Sequence, residues 1–183
     1  IGNALARAGF TFDNSFCDFA AMFSYITSWN NAAVITVTKQ IKGVSETIPW
    51  TAQYGIGTMG VTLDGNFRHE GLNIHTLFTW QDPRYKNYDN DFVFSDGSHQ
   101  KVDYSGKFVT GISQVMVELD PSYKWDSWRV WLRGRYYSRQ YVCRTNNAYF
   151  NGHFETFGGV DKHFSDNVKL SLSFVNLLFQ NGA

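Results

Sequence analysis

The sequence contains few cysteines, few prolines and few charged residues. Two cysteines, Cys17 and Cys143, and three prolines occur in 183 residues, which is too few for a disulfide scaffold or a zinc site. We expect no bridge between the two cysteines. Charged residues make up 17% of the chain, and 16 Lys plus Arg balance 16 Asp plus Glu. The low charged fraction and the 43% of hydrophobic residues together exclude a disordered tail. The zero net charge gives no reason to expect a nucleic-acid partner.

Long apolar runs and helical periodicity are also missing. No stretch reaches the ~20 consecutive apolar residues that a membrane-spanning helix needs, so helical transmembrane proteins are excluded. A membrane β-barrel remains allowed, because its strands alternate and never look hydrophobic as a whole. Aromatic residues, in contrast, reach 17%.

Alternation with a period of two recurs between turn-forming clusters and predicts an all-β fold. In the segment 128–141 one parity carries Val130, Leu132, Gly134 and Tyr136, and the other carries four arginines. The segments 109–120 and 168–178 alternate in the same way. In the segment 51–63 the phase of the alternation changes near Gly57, which predicts a β-bulge there.

Short and long connections take turns along the chain, which predicts about eight long strands of about 10 to 14 residues. Short turns are predicted at Trp29–Asn31, Asp64–Gly71, Asp120–Asp126 and Ser165–Asn167, and longer links at Lys39–Thr47, Lys86–Lys107 and Val142–Asn147. Short turns at one end and long loops at the other are typical of an outer-membrane barrel. The predicted fold class is therefore an antiparallel up-and-down meander that forms an arc of a transmembrane outer-membrane β-barrel, with the long links outside the cell. A small closed eight-stranded barrel is the alternative, which pairing of the first strand with the last would decide.

Aromatic residues gather near the predicted strand ends, among them Trp29, Trp50, Trp80, Trp125 and Trp128. Amphipathic rings are favoured at the headgroup level of a membrane. The alternative is that these residues are frequent because aromatics have high strand propensity and fill cores.

Four segments resemble a known family. They are NIHTLFTWQDPRYKNYD (73–89), VTGISQVMVELDPSYKW (109–125), WLRGRYYSRQYVCRTNNAYFNGHFETFGGVD (131–161) and LSLSFVNLLFQNGA (170–183). They resemble the C-terminal barrel of TonB-dependent outer-membrane receptors, in particular the SusC-like type of Bacteroidota. The resemblance covers the chain from about Gly60 onward and is weaker before it.

The resemblance implies the fragment of a transporter that imports a glycan, a peptide or a metal chelate across the bacterial outer membrane. Residues 1–183 would form the C-terminal portion of the barrel, without the plug and the N-terminal strands. The implied partners are outer-membrane lipid and lipopolysaccharide, the remaining strands and plug, the TonB complex through the N-terminal part, and a SusD-like lipoprotein lid. Neither a cofactor nor a metal is implied.

One constellation of charged residues stands out. Antiparallel pairing of 128–141 with 149–163 would set Arg135 opposite Glu155 and Arg129 opposite Asp161, and Glu118 could meet Arg129. Cations on the lipid face cost ~2–4 kcal/mol each near the midplane, so this row must face the lumen. The candidate row consists of Arg129, Arg133, Arg135, Arg139, Glu118, Glu155 and Asp161. It could be a salt-bridge ladder that lines the barrel wall or a path for an anionic substrate.

The longest link carries acidic residues with aromatic residues between them. The candidate ligand residues are Asp89, Asp91, Phe92, Phe94, Asp96, Asp103 and Tyr104. They could bind a sugar by stacking or Ca²⁺ through oxygens, or form a solvated loop over the barrel mouth. An exposed loop gains nothing from Phe92 and Phe94 unless they pack on something, so we expect part of it to be ordered.

An enzyme is not expected. A lipid-modifying hydrolase or acyltransferase would need a Ser or His pair at a strand end, and the sequence shows no convincing one. An adhesive or porin-like role of a small closed barrel is the other alternative.

Overall fold

A computed structural model describes residues 1–165 and 167–178. Eight long strands and four short ones account for most of these residues. The strands are β1 (Gly2–Asp13), β2 (Cys17–Ile41), β3 (Val44–His69), β4 (Leu72–Lys86), β5 (Asp89–Val93), β6 (His99–Asp103), β7 (Val115–Trp125), β8 (Trp128–Tyr137), β9 (Gln140–Tyr141), β10 (Tyr149–Phe150), β11 (His153–Ser165) and β12 (Val168–Val175). Within the described ranges, no helix is long and apolar enough to span a membrane.

The eight long strands form one antiparallel sheet in the order β1-β2-β3-β4-β7-β8-β11-β12. Each strand pairs with its neighbours in the chain, apart from the small hairpins β5–β6 and β9–β10 that interrupt the order. The hairpins β2–β3 and β3–β4 close through two-residue turns, Lys42-Gly43 and Glu70-Gly71, in which both residues have positive φ. Positive φ at both positions matches the right-handed twist of the strands, as in type I′ turns. The predicted meander of eight strands is thus confirmed.

The sheet is open. Among the described residues β1 pairs only with β2, and β12 pairs only with β11. The pairing of first and last strand that a closed eight-stranded barrel requires is not formed. Both edges therefore present unpaired backbone groups, which proteins normally cover with another strand or element.

The two faces of the sheet differ sharply. Because side chains alternate along each strand and paired residues share a face, the register assigns every residue to one side. The apolar face carries exposed large side chains: Phe10, Phe12, Phe23, Met59, Phe67, Trp80, Val117, Leu119, Tyr123, Leu132, Phe154, Leu170, Leu172 and Phe174. The polar face carries Asp64, His75, Glu118, Arg135 and the residues beside them. An apolar face of this size, exposed on eight strands, is what a lipid-facing barrel wall presents.

Several predicted connections are wrong in position. The first short turn is not at Trp29–Asn31 but at residues 14–16, where the Asn14 side chain accepts hydrogen bonds from the backbone N–H groups of Phe16 and Cys17. At Trp29–Asn31 the strand β2 continues. There Trp29 and Asn30 together lie opposite Gly55, because the register shifts between Ser28 and Asn31. The predicted bulge therefore lies in β2 opposite Gly55, and not in β3 near Gly57.

Three other predicted connections are shorter than expected, because strand pairing continues through polar residues. The link Lys39–Thr47 is a tight hairpin turn. Strand β3 runs on to His69, and β7 runs on to Trp125. The turn Ser165–Asn167 includes Asp166, which lies outside the described residues. The links Lys86–Lys107 and Val142–Asn147 are connections as predicted, but the first contains the β5–β6 hairpin.

The buried core of the chain lies beyond the bulge. Strands β2 and β3 have 25 and 26 residues, far more than the ~9–11 residues that cross a membrane as a tilted strand. The hairpin β2–β3 therefore extends past the rest of the sheet, and β5–β6 packs on this extension. The buried cluster consists of Ile35, Val37, Ala52, Tyr85, Tyr88, Phe92, Phe94 and Val109. We call these residues the outer cluster.

Candidate functional site

A connected row of charged side chains crosses the polar face from β3 to β8. Arg135 donates from Nε to the carboxylate of Glu118, and Nε of Arg133 lies 3.7 Å from the same carboxylate. Arg133 also donates from Nε to both oxygens of Asp120 at 2.9 Å, and its Nη2 lies 2.8 Å from Asp120. The ring of His75 connects Asp120, at 3.7 Å, with Asp64, at 3.0 Å. We call these six residues the polar band.

The register explains why the polar band forms. Glu118 of β7 lies directly opposite Arg135 of β8, and His75 of β4 lies directly opposite Asp120 of β7. Directly opposed side chains on one face approach to about 4.5–5.5 Å between Cβ atoms. Glu118 therefore meets Arg135 between β7 and β8, and Asp120 meets His75 between β4 and β7, without any distortion of the sheet.

The predicted row is only partly assembled. Arg135 is opposite Glu155 and Arg129 is opposite Asp161, as predicted from the sequence. Arg129 lies 3.9 Å from the buried carboxylate of Asp161. Arg135, however, is ion-paired with Glu118 and not with Glu155.

Two parts of that prediction are wrong. Glu118 does not meet Arg129, because the residue of β7 opposite Arg129 is Lys124. Arg139 does not belong to the row, because β8 ends at Tyr137. Its guanidinium lies 5.5 Å and 5.4 Å from the rings of Tyr141 and Tyr149 instead.

Sequence analysis missed three members of the polar band, namely Asp64, His75 and Asp120. His75 and Asp120 share the polar parity of strands that the alternation identified. Their contact needed the register of β4 against β7, which period-two patterns do not provide. Ligand atoms of His75, Glu118 and Asp120 lie within 4.8 Å of one another, so their geometry could accept a metal ion. Both carboxylates are already neutralised by Arg133 and Arg135, and a metal would have to displace these guanidinium groups.

The link 86–107 folds back onto the β2–β3 extension. Phe92 and Phe94 are buried in the outer cluster, and the neighbouring Tyr104 is half-buried against it. Asp89, Asp91 and Asp103 lie on the β5–β6 ladder with exposed side chains. The carboxylate of Asp91 lies 3.0 Å from Nδ1 of His99. Part of this link is therefore ordered, as expected from the sequence, whereas ligand binding by these residues stays a prediction.

Polar contacts hold the tip of the β5–β6 hairpin. Lys39 of β2 donates to Asp96 at 3.0 Å and also to Ser98. Glu46 of β3 accepts hydrogen bonds from the backbone N–H and the hydroxyl of Ser95. Hydrogen bonds from Ser98, with the nearby ammonium of Lys39, lower the pKa of Asp96 to about 2. We call Lys39, Glu46, Ser95, Asp96 and Ser98 the latch.

Tyr88 is the largest fully buried side chain of the outer cluster. Its ring stacks on Tyr54 at 4.4 Å between centroids and meets Tyr85 and Tyr104 edge to face. Burial raises the pKa of its hydroxyl, and that hydroxyl has no hydrogen-bond partner among the described residues. Tyr88 therefore serves packing in this conformation.

Comparison with known proteins gives a structural similarity only. No protein-family model matches the chain, and no curated protein matches its sequence. Among solved structures, the FrpB iron transporter from Neisseria meningitidis (F3-3 variant) is similar with a TM-score of 0.66 and 16% identity. The match covers 96% of this chain and 25% of the transporter. The chain thus spans about a quarter of the length of that protein.

The similarity shows the fold and extends over nearly all strands. Together with the apolar and polar faces of the sheet, it confirms the predicted fold class: an antiparallel meander with the fold of an outer-membrane barrel wall.

Proposed function

We propose that the chain is part of the barrel wall of a TonB-dependent transporter that imports a nutrient across the outer membrane. The observation that carries this proposal is the open eight-stranded sheet with one apolar and one polar face, similar over 96% of its length to part of an iron transporter. Unpaired strand edges are not tolerated in lipid. Further strands of the same protein would therefore pair with β1 and β12, and residues 1–183 would be the C-terminal portion of the barrel.

The polar band supports a wall that faces a wide, water-filled lumen. Each of its guanidinium groups pairs with a carboxylate of the band, and the third carboxylate contacts His75, so the band can stand in the wall without a bound ligand. We propose that it lines the lumen and contacts the plug. Transport, and not catalysis, is the proposed role of these side chains.

The finer assignment rests on the sequence segments that resemble SusC-like receptors. We propose the SusC-like type, with a glycan, a peptide or a metal chelate as the nutrient. The TonB complex, the plug and a SusD-like lid are the corresponding partners. The β5–β6 hairpin packs on the polar-face side of the β2–β3 extension, and it would then lean over the mouth of the barrel, where a lid partner would meet it.

The test is uptake by cells that carry the full-length gene. Deleting the gene should abolish uptake of one nutrient class, and depleting TonB should abolish the same uptake. Deletion of an unrelated transporter gene is the control. Uptake that is lost on gene deletion but unaffected by TonB depletion would refute energy coupling and leave a porin-like role. Recovery of the protein from a fraction other than the outer membrane would refute the proposal as a whole.

A further inference from the structure

We propose that a recess on the apolar face, beside the bulge of β2, binds the phosphate group of a membrane lipid headgroup. This inference rests on the proposed location in the outer membrane. The recess has a volume of about 290 Å³ and is lined by nine residues. The residues used in the argument are Thr27, Trp29, Asn30, Gln53, Gly55 and Lys86.

The backbone creates the recess. Two residues of β2, Trp29 and Asn30, stand opposite the single residue Gly55, and Asn30 has a φ of 58°. A bulge bends its strand and redirects its side chains. On the facing strand Gly55 leaves the floor of the recess open, and Gly57 makes room for the side chain of Lys86. A side chain at Gly55 would lie 2.9 Å from the carbonyl oxygen of Ser28, and one at Gly57 would overlap the chain of Lys86.

Lys86 supplies an uncompensated cation at this place. Its side chain lies along Gly57, and its Nζ donates to the hydroxyl of Tyr25 at 2.6 Å and lies 5.2 Å from the Tyr25 ring. No carboxylate is within ion-pair distance of Lys86 in the part of the chain that the structure describes. An ammonium has three donors, so two remain for a ligand.

The lining selects for an anion. None of the nine residues is acidic, and Thr27, Asn30 and Gln53 contribute hydroxyl and amide groups to the lining. The carboxylate of Asp82, on the same face of β4 as Lys86, accepts hydrogen bonds from Nε of Arg84 at 3.0 Å. Phosphate oxygens are strong acceptors for a set of donors of this kind.

The position of the recess identifies the source of the phosphate. Eleven residues of β3, 57–67, separate the recess from Phe67, whose ring is exposed on the apolar face. A tilted strand crosses the hydrocarbon layer in ~9–11 residues. The recess therefore lies where hydrocarbon gives way to headgroups. Trp29 at its rim, 46% exposed, is the residue type that this boundary favours. A volume of about 290 Å³ accepts a headgroup phosphate and is at the low end for a drug-sized ligand.

The experiment uses the full-length receptor in detergent, titrated with bisphosphorylated lipid A and followed by native mass spectrometry. Lys86→Gln should weaken lipid A binding at least about tenfold, as expected for one charge-assisted hydrogen bond. Enzymatically dephosphorylated lipid A should bind the wild type more weakly by a similar factor. Lys124→Gln removes a lysine from the polar face and should bind like the wild type. Tyr25→Phe, which removes only the hydroxyl partner of Lys86, should give a smaller loss.

Three outcomes would overturn the inference. In the first, Lys86→Gln binds lipid A as tightly as the wild type. In the second, Lys86→Gln and Lys124→Gln lose lipid A affinity by the same factor. In the third, the receptor binds inorganic phosphate through Lys86 but does not bind lipid A. A gel shift of the unheated receptor shows whether each variant is folded. Wild-type receptor that reaches the outer membrane but binds no lipid A refutes this inference alone, whereas receptor that is absent from the outer membrane refutes the proposed function.

Discussion

At the residue scale, Glu118 is the central acceptor of the polar band. It is mostly buried and contacts both Arg135 and Arg133, so its removal leaves two guanidinium groups without a shared partner. Because both arginines retain some exposure to water, we expect Glu118→Gln to lower the free energy of unfolding by only about 1 kcal/mol. Urea unfolding of the full-length protein in lipid vesicles measures this change.

The matched control for Glu118 is Glu155. It also lies opposite Arg135, on β11, but no ion pair joins the two side chains. Glu155→Gln should leave the free energy of unfolding unchanged within about 0.5 kcal/mol. An effect of Glu155→Gln as large as that of Glu118→Gln would show that the register, and not the observed pairing, decides which carboxylate matters.

Asp96 makes the latch dependent on pH. Its pKa is lowered from 3.8 to about 2 in the folded chain, so the docked hairpin favours the carboxylate. The stabilising contribution is therefore complete above pH 3.8 and is lost as the pH falls through about 2. A spin label on Val93→Cys should become mobile over this range, in full-length protein whose other cysteines are replaced.

Two variants check the role of Asp96 in the latch. In Asp96→Asn the Val93 label should be mobile already at neutral pH. In Asp91→Asn, which alters a carboxylate that pairs within the hairpin with His99, the mobility should follow the wild type. A label whose mobility is independent of pH in the wild type would contradict a latch that depends on Asp96.

The residue patterns also show what sequence could and could not predict. Alternation in 128–141 correctly placed Arg129, Arg133 and Arg135 on one face, because that rule needs only the geometry of one strand. The partners of Glu118 depend on the register between two strands. An error of a few residues at the turn near Asp126 led to the prediction of Arg129 as the partner, whereas the structure pairs Glu118 with Arg135. Arg139 was misassigned because the sequence pattern placed the end of this strand at Tyr141, whereas β8 ends at Tyr137.

At the element scale, the bulge of β2 determines which residues face the outer cluster. Before the bulge, even-numbered residues of β2 share the face of Asp64, and beyond it the odd-numbered Ile35 and Val37 do so. A one-residue change in register turns every later side chain to the other face. Sequence analysis placed a turn at Asn30 because Asn and neighbouring polar residues favour turns. In the structure Asn30 has the positive φ that is common in turns, but it lies inside strand β2.

Deleting Asn30 therefore tests the bulge. The deletion should turn Ile35 and Val37 away from Phe92 and Phe94, and each buried aliphatic side chain contributes about 1.5–3 kcal/mol. The β5–β6 hairpin should then be cleaved by trypsin at Lys101 at least about tenfold faster, since cleavage follows the open population. Asn30→Gly keeps the residue count and allows positive φ, and it should be cleaved at the wild-type rate. Equal cleavage of the deletion variant and the wild type would contradict the role of the bulge.

At the scale of the whole molecule, the number of strands, their antiparallel order and the asymmetry between the two ends were predictable from the sequence. These features follow from alternation and turn composition along the whole chain. The β2–β3 extension and the small hairpin on it were not predicted, because no local pattern tells the part of a strand that belongs to the common sheet from its continuation beyond that sheet. Nor could local patterns show that the bulge and not a turn separates the two regions.

The two cysteines provide a natural test of orientation. Cys17 begins β2 at the short-turn end of the sheet, whereas Cys143 lies in the link between β9 and β10 at the long-loop end. Both are free and half-buried. Hydrogen bonds, first that from Thr145, lower the pKa of the Cys143 thiol, so more of it is the reactive thiolate at neutral pH.

Since long loops are extracellular in outer-membrane barrels, a membrane-impermeant maleimide should label Cys143 on intact cells. Cys17 should be labelled only after the outer membrane is permeabilised. Mass spectrometry of the tryptic peptides separates the two sites in the full-length protein, and Cys143→Ser and Cys17→Ser are the matched controls. Thr145→Val should slow the labelling of Cys143 without changing its location, because the hydroxyl that lowers the thiol pKa is removed. Labelling of Cys17 but not Cys143 on intact cells would invert the topology and place the outer cluster, the latch and the β5–β6 hairpin in the periplasm, where they could not meet an incoming nutrient.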